Sequence, residues 1–131
     1  MVHGAGFTFQ APASWTVAGN AAVDGAVNRV EVLPFRLLRA YDAARRAAAA
    51  RELDGLASRV AQQLKGTASA GRELQVAGYD ARAYTISFDG KVEEITFVLH
   101  GTREYELLCR HAAGSALPAC AELLASFRPR P

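Results

Sequence analysis

Histidine, cysteine and tryptophan are scarce in this sequence. Its 131 residues include three histidines, two cysteines and one tryptophan. No two of the histidines, His3, His100 and His111, stand at the spacing of metal ligands on one helix face or in a zinc motif. The sequence therefore predicts no metal site and no cofactor.

Motifs for covalent or phosphate chemistry are also missing. The sequence contains neither a Gly-x-Ser-x-Gly turn nor a glycine-rich phosphate loop between a strand and a helix. Glu93 and Glu94 are neighbours on a predicted strand, so their side chains point to opposite faces and form no catalytic pair. Glu104 and Glu106 share a face that we expect to be solvated, and His111 is predicted to lie in a loop. No catalytic residue is assigned.

Long apolar runs and a strong net charge are absent too. No stretch reaches the roughly 18 apolar residues of a transmembrane helix, and a net charge of +2 does not by itself indicate nucleic acid or an anionic membrane. Residues 36–65 carry seven basic and three acidic groups, whereas residues 66–109 carry four and seven. This asymmetry indicates either a solvated basic helix beside an acidic sheet or a contact surface for an acidic partner. Arg45, Arg46 and Arg51 are the candidate contact residues.

The stretch from Ala81 to Cys109 predicts three consecutive antiparallel strands. Apolar and polar residues alternate in 82–88 and in 92–99, the period of a strand with one buried face. Asp89-Gly90 separates these two runs and is a strong signal for a two-residue hairpin. Gly101-Thr102 is predicted to turn the chain into a third strand over 104–109.

The remaining elements complete an α+β domain. Short strands are predicted at 7–9, 15–17, 27–33 and 72–76, with Pro34 ending the third of them. Residues 41–65 predict a long helix that begins near Asp42 and is closed by Gly66. Residues 117–126 predict a second helix that starts at Leu117-Pro118, followed by a frayed end at 128–131. The expected order is β-β-β-α-β-β-β-β-α, with both helices packed on a central antiparallel sheet of about six to seven strands in one domain, 1–131.

The two cysteines are the remaining pair of reactive side chains. Cys109 ends the last predicted strand and Cys120 begins the last helix, so a short returning loop places them within disulfide range. A disulfide implies an oxidising compartment. The alternative is two buried free thiols.

The sequence resembles the PsbP-like fold family of small α/β/α sandwiches. The resemblance rests on two spaced motifs, Phe9-x-x-Pro12-x-x-Trp15 and Val76-x-Gly78-x-x-Ala81. It also rests on the long helix after the third strand and on a C-terminal pattern of Cys109, Cys120 and Ser126-Phe127. The C-terminal pattern is similar to that of exported actinobacterial lipoproteins of the LpqN type. The resemblance implies a non-catalytic accessory or binding role.

Two functional hypotheses follow, and a purely structural or oligomerising domain is a third alternative. The first is a secreted or lipid-anchored bacterial cell-envelope domain that binds a protein or a small ligand. Since no export signal precedes the first predicted strand, this hypothesis places such a signal, or a lipid anchor, on a removed segment before Met1. The second is a cytoplasmic small-ligand-binding protein or enzyme with a pocket between helix and sheet near Trp15, Tyr84 and His100. Convergence of two or more of His100, Glu94 and Arg110 on that pocket would favour it.

Overall fold

The computed structural model describes residues 1–130. Ten strands and two helices follow one another in this part of the chain: Val2–Gly4 (β1), Phe7–Phe9 (β2), Thr16–Ala18 (β3), Ala21–Asp24 (β4), Asn28–Tyr41 (β5), Arg46–Gln63 (α1), Thr67–Ala68 (β6), Arg72–Val76 (β7), Tyr79–Phe88 (β8), Lys91–Ala112 (β9), Pro118–Ser126 (α2) and Arg128–Pro129 (β10). A 3-10 turn, Ala43–Arg45, precedes α1. The predicted α+β class is confirmed. Neither helix in residues 1–130 is long and apolar enough to span a membrane.

Seven strands form one antiparallel sheet. The order is β3-β4-β5-β9-β8-β6, and β7 pairs with the same edge of β8 as β6 does. The turn predicted at Asp89-Gly90 joins β8 to β9, since Phe88 pairs with Lys91. Asp89 and Gly90 have φ of 47° and 72°, which are the left-handed dihedrals that a type I′ turn requires.

Strand β9 reverses direction within its own length. Glu93 and Arg110 are seventeen residues apart, which is roughly 55 Å along a straight strand, yet Arg110 Nη2 lies 2.8 Å from Glu93 Oε1. The amide of Ala113 also donates to the carbonyl of Gly90 at 2.9 Å. The reversal falls midway, at the predicted turn Gly101-Thr102. The second half of β9 then pairs with β5, from Arg110 opposite Arg29 to Arg103 opposite Arg36.

The two faces of the sheet bury separate cores. One core lies beneath α1 and consists of Leu53, Ala57, Ala61, Tyr84, Ile86, Ile95, Phe97 and Leu99. The other face is covered by α2 and by a three-stranded sheet, β1-β2-β10, and its largest buried side chains include Phe7, Phe9, Val30, Val32, Tyr105, Leu107, Leu123 and Phe127. The domain is therefore a three-layer sandwich.

Helix α1 ends at Gln63 in a Schellman motif, two residues earlier than predicted. The amide of Gly66 donates to the carbonyl of Ala61 at 2.8 Å, and that of Lys65 donates to Gln62 at 3.1 Å. Lys65, not Gly66, takes the left-handed conformation, with φ of 57°. Gly66 is required for another reason. A Cβ at this position would overlap the carbonyl oxygen of Ser87 on β8, so glycine allows the end of α1 to contact the sheet.

Three boundary predictions were wrong. Strand β5 continues through Pro34 to Tyr41, because β4 pairs only with residues 28–31 and the missing N–H of Pro34 faces an open edge. The α-helix therefore begins at Arg46 rather than at 41. Arg128–Pro129, predicted to be frayed, pairs with β2, and the amide of Arg130 donates to Gly6 at 2.7 Å. Pro131 of the predicted end lies outside the described residues.

Candidate functional site

A bulge in β5 adjoins a groove on the α1 side of the sheet. Between Arg36 and Tyr41, four residues of β5 (37–40) lie opposite the single residue Thr102 of β9. The extra residues project from the sheet, and the side chain of Leu38 is fully exposed. We call the adjoining depression the bulge groove.

The bulge groove has a volume of about 570 Å³. Its lining consists of basic, acidic and apolar side chains from β5, α1 and β9: Arg36, Leu37, Leu38, Arg39, Tyr41, Arg45, Ala49, Glu52, Leu53, Leu99 and Glu104. Among residues 1–130, none of Arg36, Arg39 and Arg45 makes a salt bridge. Their guanidinium groups therefore have no carboxylate partner within this part of the chain.

A smaller pocket of about 250 Å³ adjoins the bulge groove, and Tyr41, Ala49, Leu53 and Leu99 line both. We call it the edge pocket, because its remaining lining includes residues of the edge strand β7. The hydroxyl of Tyr41 donates to Asp80 Oδ2 at 2.6 Å, and Arg46 Nη2 lies 3.0 Å from the same oxygen. The hydrogen bond from Tyr41, followed by that from Arg46, lowers the pKa of Asp80.

The three candidate arginines therefore occupy different surroundings. Arg45 lines the bulge groove, Arg46 is paired with Asp80 in the edge pocket, and exposed Arg51 lines neither depression. Sequence reasoning missed Arg36 and Arg39, because the predicted strand stopped at Leu33 and left them without a defined position.

Trp15, Tyr84 and His100 do not line a common pocket. Tyr84 is buried beneath α1, where it donates to Asp54, and burial followed by this hydrogen bond raises its pKa to about 12. Trp15 packs against the core on the opposite face. His100 is exposed at the reversal of β9, with its ring centroid 4.0 Å from that of Tyr79.

Glu94, Arg110 and His100 do not converge either. Arg110 pairs with Glu93, whose side chain points to the opposite face of the sheet from that of Glu94. Glu94 instead contacts His111, whose Nε2 lies 3.0 Å from Glu94 Oε2. His111 is buried in β9, so its predicted loop position was wrong.

The Glu94–His111 pair lies beside the disulfide. The predicted bond between Cys109 and Cys120 is confirmed, with the two Cα atoms 5.4 Å apart. Both cysteines and Glu94 line a pocket of about 250 Å³ beneath α2. The alternating spacing of Cys109 and His111 was a visible signal that the two share a strand face, but the position of Glu94 depends on the register of the reversal.

Acidic side chains occupy part of the α1 face of the sheet that the helix leaves open. Glu104 and Glu106 are half-buried there, so their predicted solvation was wrong. Burial, followed by the charges of Glu104, Glu93 and Glu31, raises the pKa of Glu106 from its usual 4.5 to about 7. Burial, followed by the charge of Glu52, raises the pKa of Glu104.

The raised pKa of Glu106 predicts a pH-dependent stability. Between pH 4.5 and about 7 the folded state holds a proton on Glu106 that the unfolded state has lost, so the free energy of unfolding falls as the pH rises through this window. We expect Glu106→Gln to raise the melting temperature at pH about 8 and to leave it unchanged near pH 4. Thermal unfolding across this range, with Glu122→Gln as the control, tests this. Equal pH profiles for Glu106→Gln and the parent would contradict it.

Comparison with known proteins identifies the fold but no family. No family model and no curated protein sequence matches this chain. Among solved structures, one match is a protein from Bacteroides thetaiotaomicron, with 12% sequence identity and a TM-score of 0.59. The match covers 96% of this chain and 46% of that one, so the chain spans about half the length of this relative. At this identity the similarity concerns the fold alone.

Proposed function

We propose that this chain is a non-catalytic accessory domain of a bacterial cell envelope, related to the PsbP-like proteins, that binds an acidic segment of a partner protein in the bulge groove. The disulfide supports an extracytoplasmic location, because disulfides form and persist in oxidising compartments. The resemblance to PsbP-like and LpqN-type proteins supports an accessory role.

The composition of the bulge groove carries the binding proposal. Leu38 and Phe35 are exposed apolar side chains on the bulged strand, and Arg36, Arg39 and Arg45 line the groove together with Leu38. Arginine and aromatic side chains are enriched at the centres of protein interfaces. An extended segment that alternates acidic and apolar residues matches this surface, since its carboxylates reach the guanidinium groups and its apolar side chains cover Leu38.

An NMR titration with two matched peptides tests the proposal. We expect a peptide that alternates glutamate with leucine to shift the amide signals of residues 35–39 and 45–52. The same peptide with lysine in place of glutamate should leave them unchanged. Binding should weaken as the salt concentration rises, because screening reduces exposed charge interactions.

Charge reversal at two arginines locates the contact surface. Arg39→Glu should weaken binding of the acidic peptide at least about tenfold, which corresponds to 1.4 kcal/mol. Arg51→Glu makes the same change outside the groove and should have little effect. If Arg51→Glu weakens binding as much as Arg39→Glu does, the outer face of α1 is the contact surface and the groove proposal is wrong.

The edge pocket favours a second candidate function, the binding of a small polar ligand between helix and sheet. Tyr41, Asp80 and Arg82 supply hydrogen-bonding groups around its opening, and Leu53, Leu74 and Leu99 supply apolar surface. Convergent polar groups in an apolar pocket are typical of ligand sites. In an NMR screen of small polar compounds, shifts confined to residues 73–75 and 80–82 would favour this function over peptide binding.

A further inference from the structure

The geometry points to a redox-dependent zinc site made of Glu94, His111, Cys109 and Cys120. While the disulfide is intact its sulfurs are bonded to each other, and reduction turns them into metal ligands. The site lies on the α2 face of the sheet, whereas the bulge groove lies on the α1 face. The inference is therefore independent of the proposed partner binding.

Three of the four donors already lie at ligand spacing. A carboxylate oxygen of Glu94, a ring nitrogen of His111 and the Sγ of Cys120 are all within 4.8 Å of one another. Tetrahedral zinc with ordinary bond lengths places nitrogen and oxygen ligands roughly 3.3 Å apart, close to the observed 3.0 Å between His111 Nε2 and Glu94 Oε2. One ion at the centre of this group therefore reaches all three donors with small movements.

Cys109 supplies the fourth donor. Its Sγ is bonded to that of Cys120, and two thiolates on one zinc ion stand roughly 3.7 Å apart. Cutting the S–S bond allows this separation by side-chain rotation. Two thiolates, one imidazole and one carboxylate form a soft donor set. Such a set binds zinc in preference to calcium or magnesium, which prefer oxygen ligands.

The hydrogen bonding of His111 favours a cation at this place. Its Nδ1 lies 2.8 Å from the carbonyl oxygen of Ala112, which only accepts, so Nδ1 carries a hydrogen. In the neutral ring the lone pair is then on Nε2, directed at Glu94 Oε2. Two lone pairs at 3.0 Å repel each other, so a cation between them is favourable.

The burial of the donor side chains and their access to solvent also suit a metal ion. The His111 side chain is 9% exposed and that of Glu94 is 43% exposed, so the carboxylate provides the entry path while the other donors are shielded. The contact from Nδ1 to a backbone carbonyl fixes the ring orientation, as it does for histidine ligands of many metal sites.

A phosphine reduces the disulfide between Cys109 and Cys120 in a balanced reaction. The phosphine attacks one sulfur, the S–S bond breaks, and water supplies the oxygen of the phosphine oxide and the two hydrogens of the resulting thiols. Zn²⁺ then displaces the two thiol protons, because thiolates are the ligating form.

Metal titration of untagged protein tests the site. The chain is reduced with a phosphine, freed of reductant under nitrogen, and titrated with Co²⁺ alone and then with Zn²⁺ alone against a chromophoric chelator. We expect one equivalent of Co²⁺ to give the intense visible bands of tetrahedral cobalt and sulfur-to-cobalt charge transfer. The disulfide form should give neither signal, and Zn²⁺ should raise the melting temperature of the reduced protein only.

Matched variants separate the four-ligand site from a simple dithiol. Each variant is first shown to fold in its disulfide form by circular dichroism. His111→Gln should weaken zinc binding at least about 100-fold, beyond the 10–100-fold typical of residues that only orient a ligand, and Glu94→Gln should weaken it at least about tenfold. His100→Gln and Glu93→Gln, the same changes outside the site, should leave the affinity unchanged. If His111→Gln and Glu94→Gln bind zinc like the parent, or the reduced parent binds none, the proposal is overturned.

Discussion

Phe127→Ala is expected to lower the free energy of unfolding by about 3–5 kcal/mol, the usual range for truncating a fully buried phenylalanine. Phe127 has no exposed surface, and its ring centroid lies 5.2 Å from that of Tyr105 and 6.3 Å from that of Phe7. It therefore joins α2, β9 and the small sheet in one core. Urea unfolding of the disulfide form, followed by circular dichroism, measures the change.

Phe35→Ala is the matched control for this prediction. The same atoms are removed, but Phe35 is 46% exposed on the bulged strand, so we expect a much smaller loss of about 1 kcal/mol or less. Its effect should appear instead in the affinity for the acidic peptide. A stability loss for Phe127→Ala no larger than that for Phe35→Ala would show that the α2-side core is not packed as described.

Removing the disulfide is expected to cost roughly 3 kcal/mol, the value for a closed loop of about 12 residues in the chain-entropy treatment. The bond joins residues that are 11 apart in sequence. The double variant Cys109→Ala/Cys120→Ala should show this loss in urea unfolding. Reduced parent protein, held with a chelator so that no metal compensates, should agree with it within about 1 kcal/mol.

Thiol titration of the denatured protein gives the direct check. Material from an oxidising compartment should show no free thiol before reduction and both thiols afterwards, with monomer size confirmed so that a linked dimer is excluded. Two free thiols without reduction would show that the disulfide is absent. The main argument for an extracytoplasmic location would then be lost.

Local sequence signals predicted the local parts of the fold. The Asp89-Gly90 turn depends on two residues that favour left-handed dihedrals, and both adopt them. Alternation in 82–88 and 92–99 placed Ile86, Ile95 and Phe97 in the core beneath α1. The class of the fold followed from these strands and two amphipathic helices.

Features that depend on distant pairing were not visible in the sequence. Strand β10 exists because Arg128 meets Thr8 from the other end of the chain, and a short polar segment carries no signal for that pairing. The contact of Glu94 with His111 depends on how β9 folds back. The extension of β5 past Pro34 depends on where β4 ends, which no residue in β5 itself specifies.

The small sheet is also the last part of the described structure that can form during synthesis on the ribosome. Its central strand, β2, is synthesised early, yet its partner β10 and the anchoring Phe127 come from the last described residues. The β8–β9 hairpin and α1 contain neighbouring segments and can associate sooner. Phe7 and Phe9 therefore remain without their full set of neighbours until translation has passed residue 129. During this interval the nascent chain exposes an aromatic segment that a chaperone can recognise.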